Sequence, residues 1–179
     1  MTIKEVFQVE TTQQAVWDFI SDPKKISSCL PSVQSVEVLD DTHYKAVVKQ
    51  KVGFISATFE IRTEVLEKQP PSRLRLSNKG KSIFGADGSL ASMDTITVAA
   101  LSDRLTEVTV QSELMLGGKL AILGAKLIES KSREIFAEAT RNLKAKIGAV
   151  QAPESKVSLT PGAQPVGTNG EQSDGSGII

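Results

Sequence analysis

Residues 105–147 read LTEVTVQSELMLGGKLAILGAKLIESKSREIFAEATRNLKAKI, and the spacing of the apolar residues changes at Gly117-Gly118. Before this pair, residues 105–116 alternate between apolar and polar types, as a half-buried strand does. After it, residues 119–147 carry one broad apolar stripe at helical spacing, which predicts a long C-terminal helix. That helix would be about 40 Å long, and its first part, residues 120–125, is uncharged and is expected to be the more buried end.

Six further runs upstream have the composition of strands, and two short helices follow the first of them. Thr11 or Thr12 offers a hydroxyl cap for one helix, and Pro23 suits the start of the other, residues 24–30. Short turns join the later strands, which predicts an antiparallel meander. The strand-like runs are residues 3–9, 33–39, 43–52, 55–66, 73–77, 89–101 and 105–116.

These elements predict an α+β fold, with a curved antiparallel seven-stranded sheet around a long C-terminal helix. An antiparallel sheet with one apolar face must cover that face, and only one long helix is available to do so. A strongly curved sheet has more concave surface than one helix can fill. The sequence therefore predicts an internal apolar pocket, which is the default location for a binding site.

Length and composition indicate one domain, residues 1–148, followed by a tail, residues 149–179. The tail is rich in Pro, Gly and Ser and has no apolar periodicity, so we expect it to be disordered. The formal net charge of zero does not favour a nucleic acid as partner. The N-terminal residues do not resemble a signal peptide, and no run is apolar enough to span a bilayer. A cytoplasmic protein is expected.

The side chains offer little catalytic chemistry. His43, the only histidine, follows Asp40 and Asp41 in a predicted turn and is expected to be an exposed loop residue. One histidine and one cysteine cannot provide a zinc ligand set, and Cys29 is expected to be a buried, inert thiol. Tyr44 is the only tyrosine. We therefore expect no catalytic residue and no metal site.

Several short strings, taken in order, resemble the CoxG-like family of carbon monoxide dehydrogenase subunits, within the START/Bet v 1-like (SRPBCC) superfamily. The resemblance covers about residues 3–147. It departs from the family at Ser32 and Ile61, where family members often have glycine. The strings are Val16-Trp17-Asp18-Phe19, Asp22-Pro23, Leu30-Pro31, Lys51-Val52-Gly53-Phe54, Phe59-Glu60, Pro71-Ser72-Arg73-Leu74 and Gly117-Gly118-Lys119-Leu120-Ala121-Ile122-Leu123-Gly124.

The resemblance implies a helix-grip fold and an accessory function without catalysis. It implies binding of a lipophilic small molecule, a quinone or a lipid, with no covalent cofactor. The implied partner is a molybdenum hydroxylase-type, carbon monoxide dehydrogenase-like complex, with peripheral recruitment to the inner face of the cytoplasmic membrane. Two alternatives stay open: a polyketide cyclase or isomerase on the same fold, and a protein-interaction module whose cavity is filled by its own side chains.

The pocket is expected between the inner face of the sheet and the uncharged first half of the long helix. Gly124 is expected within this helix, where a glycine indicates close packing or room for a ligand. A one-residue slip in strand facing would exchange each strand residue for its neighbour. The candidate lining residues are Phe59, Ile61, Leu76, Phe84, Met93, Leu114, Leu120, Leu123, Gly124, Leu127 and Ile128.

Overall fold

The structure, a computed structural model, describes residues 1–151, with side chains described for residues 1–148. The elements are, in order, β1 (Thr2–Val9), α1 (Gln13–Ile20), α2 (Pro23–Ser27), β2 (Val33–Val38), β3 (His43–Val52), β4 (Ile55–Gln69), β5 (Arg73–Gly85), β6 (Gly88–Ser102), β7 (Leu105–Gly118), a 3₁₀ turn (Ala121–Leu123) and α3 (Ala125–Gln151). The predicted boundary at residue 148 falls inside α3. The rest of the predicted tail, residues 152–179, lies outside the described residues.

The seven strands form one antiparallel sheet in the order β1-β7-β6-β5-β4-β3-β2. The backbone of α3 comes close to β1 and β3, which lie toward opposite edges of the sheet, so the helix crosses the concave face between them. The predicted α+β helix-grip architecture, with two short helices after β1, is confirmed.

One apolar cluster lies where α1, the sheet and the C-terminal half of α3 meet. Trp17 is 3% exposed, and Cys29 is fully buried, as expected for that residue. The hydroxyl of Thr12 caps α1 by accepting from the amide of Ala15 at 3.2 Å. The buried members of this cluster are Val9, Val16, Trp17, Ile20, Cys29, Leu74, Leu76, Val98, Val108, Leu143 and Ile147.

A second apolar cluster lies at the opposite end of the concave face, beneath the 3₁₀ turn. Its buried members are Ile55, Ala57, Phe59 and Leu120, and Ile61, Ala86, Leu90, Leu116 and Leu123 pack against them. The two clusters are separate, so the concave face is apolar at both ends of the sheet.

Several element boundaries differ from the sequence prediction, and three of the differences bear on the site or its surroundings. The predicted helix over residues 119–147 is broken at Gly124, so α3 begins at Ala125. The strand predicted at residues 73–77 continues to Gly85, because β5 is hydrogen-bonded to β4 and β6 on its two sides and this pairing outweighs weak strand propensity. The second short helix ends at Ser27, three residues earlier than predicted.

Candidate functional site

An apolar groove lies between the end of β7 and the beginning of α3. Its volume is about 340 Å³, and it opens to solvent. No lining residue has a charged or polar side chain, so the groove suits an apolar chain or ring. The ammonium group of Met1 donates to the Leu114 carbonyl at 2.7 Å. It is lined by Met1, Leu114, Met115, Leu116, Leu120, Ala121, Gly124, Ala125 and Ile128.

The structure brings four of the predicted lining residues together in this groove: Leu114, Leu120, Gly124 and Ile128. Three others, Phe59, Ile61 and Leu123, belong to the adjoining apolar cluster, which also contains Leu120. Leu76 lies on the concave face in the cluster at the far end of the sheet. Leu127 is 37% exposed and faces the β3–β4 turn, where its Cδ2 would lie 3.1 Å from a Cβ on Gly53.

Two predicted lining residues do not face the interior. Phe84 is 79% exposed, because a register shift between β4 and β5 pairs it with Thr58, which faces away from the buried Ala57 and Phe59. Met93 pairs in register with Ser77 and Glu113, and thus lies on the outer face of the sheet. Its neighbours Ser92 and Asp94 occupy the inward positions, so the prediction for Met93 was wrong by one residue.

Between the two apolar clusters, the concave face carries a row of hydrogen-bonded polar side chains, which we call the polar belt. It consists of Tyr44, Thr63, Asn78, Ser92, Asp94 and Ser112. The strand register explains the row, since each pair of neighbours in it lies directly or diagonally across adjacent strands from β3 to β7.

The hydrogen bonds of the polar belt converge on Asp94. Thr63 Oγ1 donates to Asn78 Oδ1 at 2.7 Å, and Asn78 Nδ2 donates to Asp94 Oδ2 at 2.7 Å and to Ser92 Oγ at 3.1 Å. Ser112 Oγ donates to Asp94 Oδ1 at 2.5 Å. A sequence signal for this network exists, although the expected pocket did not include it: polar residues occupy the apolar phase of the strand alternation at Asn78, Ser92, Asp94 and Ser112.

Burial dominates the electrostatics of the polar belt. It raises the pKa of the Asp94 carboxyl, and the hydrogen bonds from Ser112, Ser92 and Asn78 offset only part of that rise. Among the described residues, no basic side chain forms an ion pair with Asp94. Burial also raises the pKa of Tyr44 to about 12, against the effect of its hydrogen bond with Thr63, so its hydroxyl stays protonated at neutral pH.

A second opening lies beside the polar belt, at the end of the sheet covered by α1 and α2. Its volume is about 300 Å³. Tyr44, Leu74 and Leu76 line it from the concave face, and residues 20–24 line it from the two short helices. The concave face is therefore approached from both ends, with the polar belt between the approaches.

Several large apolar side chains are exposed at the end of the molecule next to the apolar groove, and four of them form what we call the apolar tip. Phe54 is 83%, Phe84 79%, Ile122 73% and Leu127 37% exposed. The lysines Lys51, Lys119 and Lys126 lie within three residues of members of the apolar tip in the chain and are exposed. Within residues 1–148, none of the three forms an ion pair with a carboxylate.

Two further features are absent from the described residues. No helix in that part of the chain is long and apolar enough to cross a bilayer. No group of three or more His, Cys, Asp or Glu side chains within it is placed to hold a metal ion.

The sheet, the crossing helix and the concave face between them define a START-like fold class. A START superfamily protein from Mycobacterium smegmatis has a TM-score of 0.65 with 10% identity, over 83% of this chain and 98% of its own. A conserved protein from Geobacillus kaustophilus has a TM-score of 0.77 with 20% identity, over 83% and 96%. The Zhui aromatase/cyclase from Streptomyces sp. R1128 has a TM-score of 0.50 with 16% identity, over 84% and 90%. These likenesses show the fold.

Within that class, the chain belongs to the CoxG family of carbon monoxide dehydrogenase subunits, whose model matches residues 6–148. The match covers the sheet from the second half of β1 onward and almost all of α3, and confirms the resemblance that the short sequence strings indicate. No curated protein matches the chain in sequence.

Proposed function

We propose that this protein binds a lipophilic small molecule, a quinone or a lipid, between the concave face of its sheet and α3, and that it does so without catalysis. The observation that carries the proposal is the apolar groove of about 340 Å³ between β7 and α3. Exposed apolar surface in water is unfavourable by roughly 25 cal/mol per Å². A groove that lacks polar side chains therefore gains stability when an apolar ligand covers it.

We further propose that the protein is an accessory factor that carries this ligand for a redox complex of the molybdenum hydroxylase type. The support is membership of a family described as a subunit of carbon monoxide dehydrogenase. Quinones are lipophilic redox partners that dissolve in the bilayer, so an accessory protein that handles them needs both an apolar site and access to a membrane.

The apolar tip supports peripheral association with a membrane, which we place at the inner face of the cytoplasmic membrane. Phe54 lies in the β3–β4 turn and Phe84 near the end of β5, at one end of the molecule, and both are largely exposed. Exposed apolar side chains grouped beside unpaired lysines are typical of a surface that inserts among anionic headgroups. The groove begins at the same end, so a ligand could pass between bilayer and protein without crossing water.

Filling the groove with a side chain tests ligand binding. Ala125→Trp places an indole in the groove from the exposed first turn of α3, so it should exclude the ligand without overpacking a core. Ala137→Trp adds the same indole at an exposed α3 position about 18 Å further along the helix. Native mass spectrometry should find a lipophile on the wild type and on Ala137→Trp, and none on Ala125→Trp.

Two results would contradict the proposal. One is a lipophile retained equally by Ala125→Trp and the wild type. The other is a wild-type protein that carries no lipophile even after incubation with quinone-containing vesicles, which would favour the protein-interaction module with a filled cavity. Gly124→Leu is the poorer test, because a side chain there strains the backbone whether or not a ligand is present.

An enzyme of the cyclase or isomerase type is a second candidate, and the polar belt is the observation that favours it. Tyr44 and Asp94 belong to one interior network, although the sequence offers a single tyrosine. General acid or base catalysis needs such groups beside the substrate. A bound ligand recovered with the same mass from the wild type and from Asp94→Asn would count against catalysis.

A further inference from the structure

We infer that the polar belt recognises the head of the bound lipophile, and that this head is a neutral hydroxyl group that donates a hydrogen bond to Asp94. This inference rests on the proposed ligand-binding function and names the chemical class of its ligand. It follows from three observations: where the polar belt lies, how much of it an interior ligand can reach, and which of its hydrogen-bonding groups are already used.

The position of the polar belt matches the head of an elongated ligand. Asp94 lies across from Leu76 on one side and from Ser112 on the other, all three at inward positions of the sheet. Apolar clusters flank the polar belt at both ends of the concave face. A ligand whose apolar body lies along the second cluster and the groove would place its end near the belt.

The polar belt is accessible although it crosses the central strands. Asn78, Asp94 and Ser112 all remain partly exposed, even though their strands β5, β6 and β7 each have neighbours on both sides. The opening beside α1 and α2 is lined by Tyr44, a member of the polar belt, and by Leu76, which pairs with Asp94. Asp94 therefore borders an open space on the concave face.

The hydrogen bonds within the polar belt use all of its side-chain donors and leave some of its acceptors unused. Thr63 gives its proton to Asn78, so Tyr44, which bonds to Thr63, must donate in that bond. The amide of Asn78 uses its two hydrogens on Asp94 and Ser92, and the hydroxyls of Ser92 and Ser112 use theirs on Asp94. A carboxylate has about four lone-pair sites, and these three donors do not fill them.

A ligand that approaches this network must therefore bring a hydrogen of its own. A phenol, a quinol or a long-chain alcohol can donate to Asp94, whereas an ether, an ester or the keto form of a quinone presents only acceptors to other acceptors. An ammonium head could also donate, but transferring that charge between two apolar clusters carries a large desolvation cost. A neutral hydroxyl head meets both conditions.

The test compares two probes that differ only at the head, para-octylphenol and its methyl ether. Isothermal titration calorimetry with the wild type should find the phenol bound roughly tenfold more tightly, a difference within the range that one hydrogen bond contributes. Asp94→Asn should reduce this ratio several-fold. An asparagine fits the site, because the Ser112 hydroxyl can rotate to accept from its amide. Glu113→Gln is the matched control, since Glu113 lies on the outer face and is exposed, and it should keep the wild-type ratio.

The outcomes separate the two proposals. Equal affinity of the wild type for both probes would overturn the inference and leave the apolar binding site standing. Failure of both probes to bind would overturn the proposed function and the inference together. If Asp94→Asn does not fold, the ratio measured on the wild type decides the inference alone.

Discussion

Asp94 occupies a position where ionisation is unfavourable to the folded protein. Burial raises the pKa of its carboxyl above the ordinary value of 3.8, in spite of the hydrogen bonds that it accepts. The folded state therefore holds the proton more tightly than the unfolded state. The stability that this gives is fully present below pH 3.8 and is lost as the pH rises through the folded-state pKa.

Asp94→Asn should remove this pH dependence. The melting temperature of the variant, relative to the wild type, should rise as the pH increases from 3.8 through the folded-state pKa of Asp94, because the variant has no carboxyl to ionise. Differential scanning calorimetry over a pH series measures the difference directly. A difference that stays constant across this range would mean that Asp94 titrates as it does in the unfolded chain.

Asp40 provides a control, because its pKa is shifted in the opposite direction from that of Asp94. Hydrogen bonds from the Thr42 amide and the His43 ring lower its pKa to about 2, so its contribution is present above pH 3.8 and is lost as the pH falls toward 2. The carboxyl is fully exposed, so the effect of Asp40→Asn should be small and confined to the acid side of pH 3.8. The two variants thus act in pH ranges that do not overlap.

The face of the sheet on which a single strand residue lies could not always be predicted from the sequence. In β6 the inward positions include Ser92 and Asp94, while the outward positions between and beside them include Ala91 and Met93. The apolar residues of this part of β6 therefore lie on the outer face, so an assignment based on apolar alternation turns the strand the wrong way. Phe59, Ile61 and Leu114 do share the concave face, because their strands keep apolar residues in the inward phase.

At the scale of elements, the beginning of the long helix depends on one residue. Residues 119–124 are as apolar as the helix that follows, so periodicity alone extends the helix through them. Gly124 instead adopts φ 80° and ψ 147°, a conformation open almost only to glycine. The chain turns there, and the 3₁₀ turn lies over the second apolar cluster as a separate cover.

Substituting alanine for two glycines should change the stability of the protein in opposite directions. At Gly124 and at Gly148 an added Cβ would meet no atom within 4 Å, so the two sites differ in backbone conformation alone. Gly124→Ala should destabilise the protein by about 1 to 3 kcal/mol. Gly148→Ala, within α3, should stabilise it by up to about 1 kcal/mol. Urea denaturation measures both, and a neutral Gly124→Ala would mean that this backbone conformation is not retained in solution.

At the scale of the whole molecule, the fold was predictable because its signals are repeated. Seven alternating runs and one helical stripe each indicate the same architecture, so errors at single boundaries do not change it. The polar belt was not predictable in this way. It depends on which residues meet across five strands, with Tyr44 and Ser112 at its ends, and local periodicity does not contain that register.

The two ends of the molecule differ, and this difference should decide how it meets a membrane. The apolar tip carries Phe54 and Phe84, whereas Leu39 in the β2–β3 turn and Leu101 near the end of β6, 49% and 50% exposed, lie at the opposite end. All four side chains are largely exposed, so replacing them with serine should change stability by little. Matched substitutions at the two ends therefore isolate membrane contact from folding.

Flotation with vesicles of mixed neutral and anionic lipid should recover the wild type in the lipid fraction. Phe54→Ser combined with Phe84→Ser should reduce recovery at least roughly tenfold, because each phenylalanine buries an apolar ring worth about 2 kcal/mol on insertion. Leu39→Ser combined with Leu101→Ser should float like the wild type. Recovery should also fall with purely neutral lipid or with added salt, since the lysines beside the tip attract anionic headgroups. Equal recovery of both double variants would mean that the apolar tip does not face the bilayer.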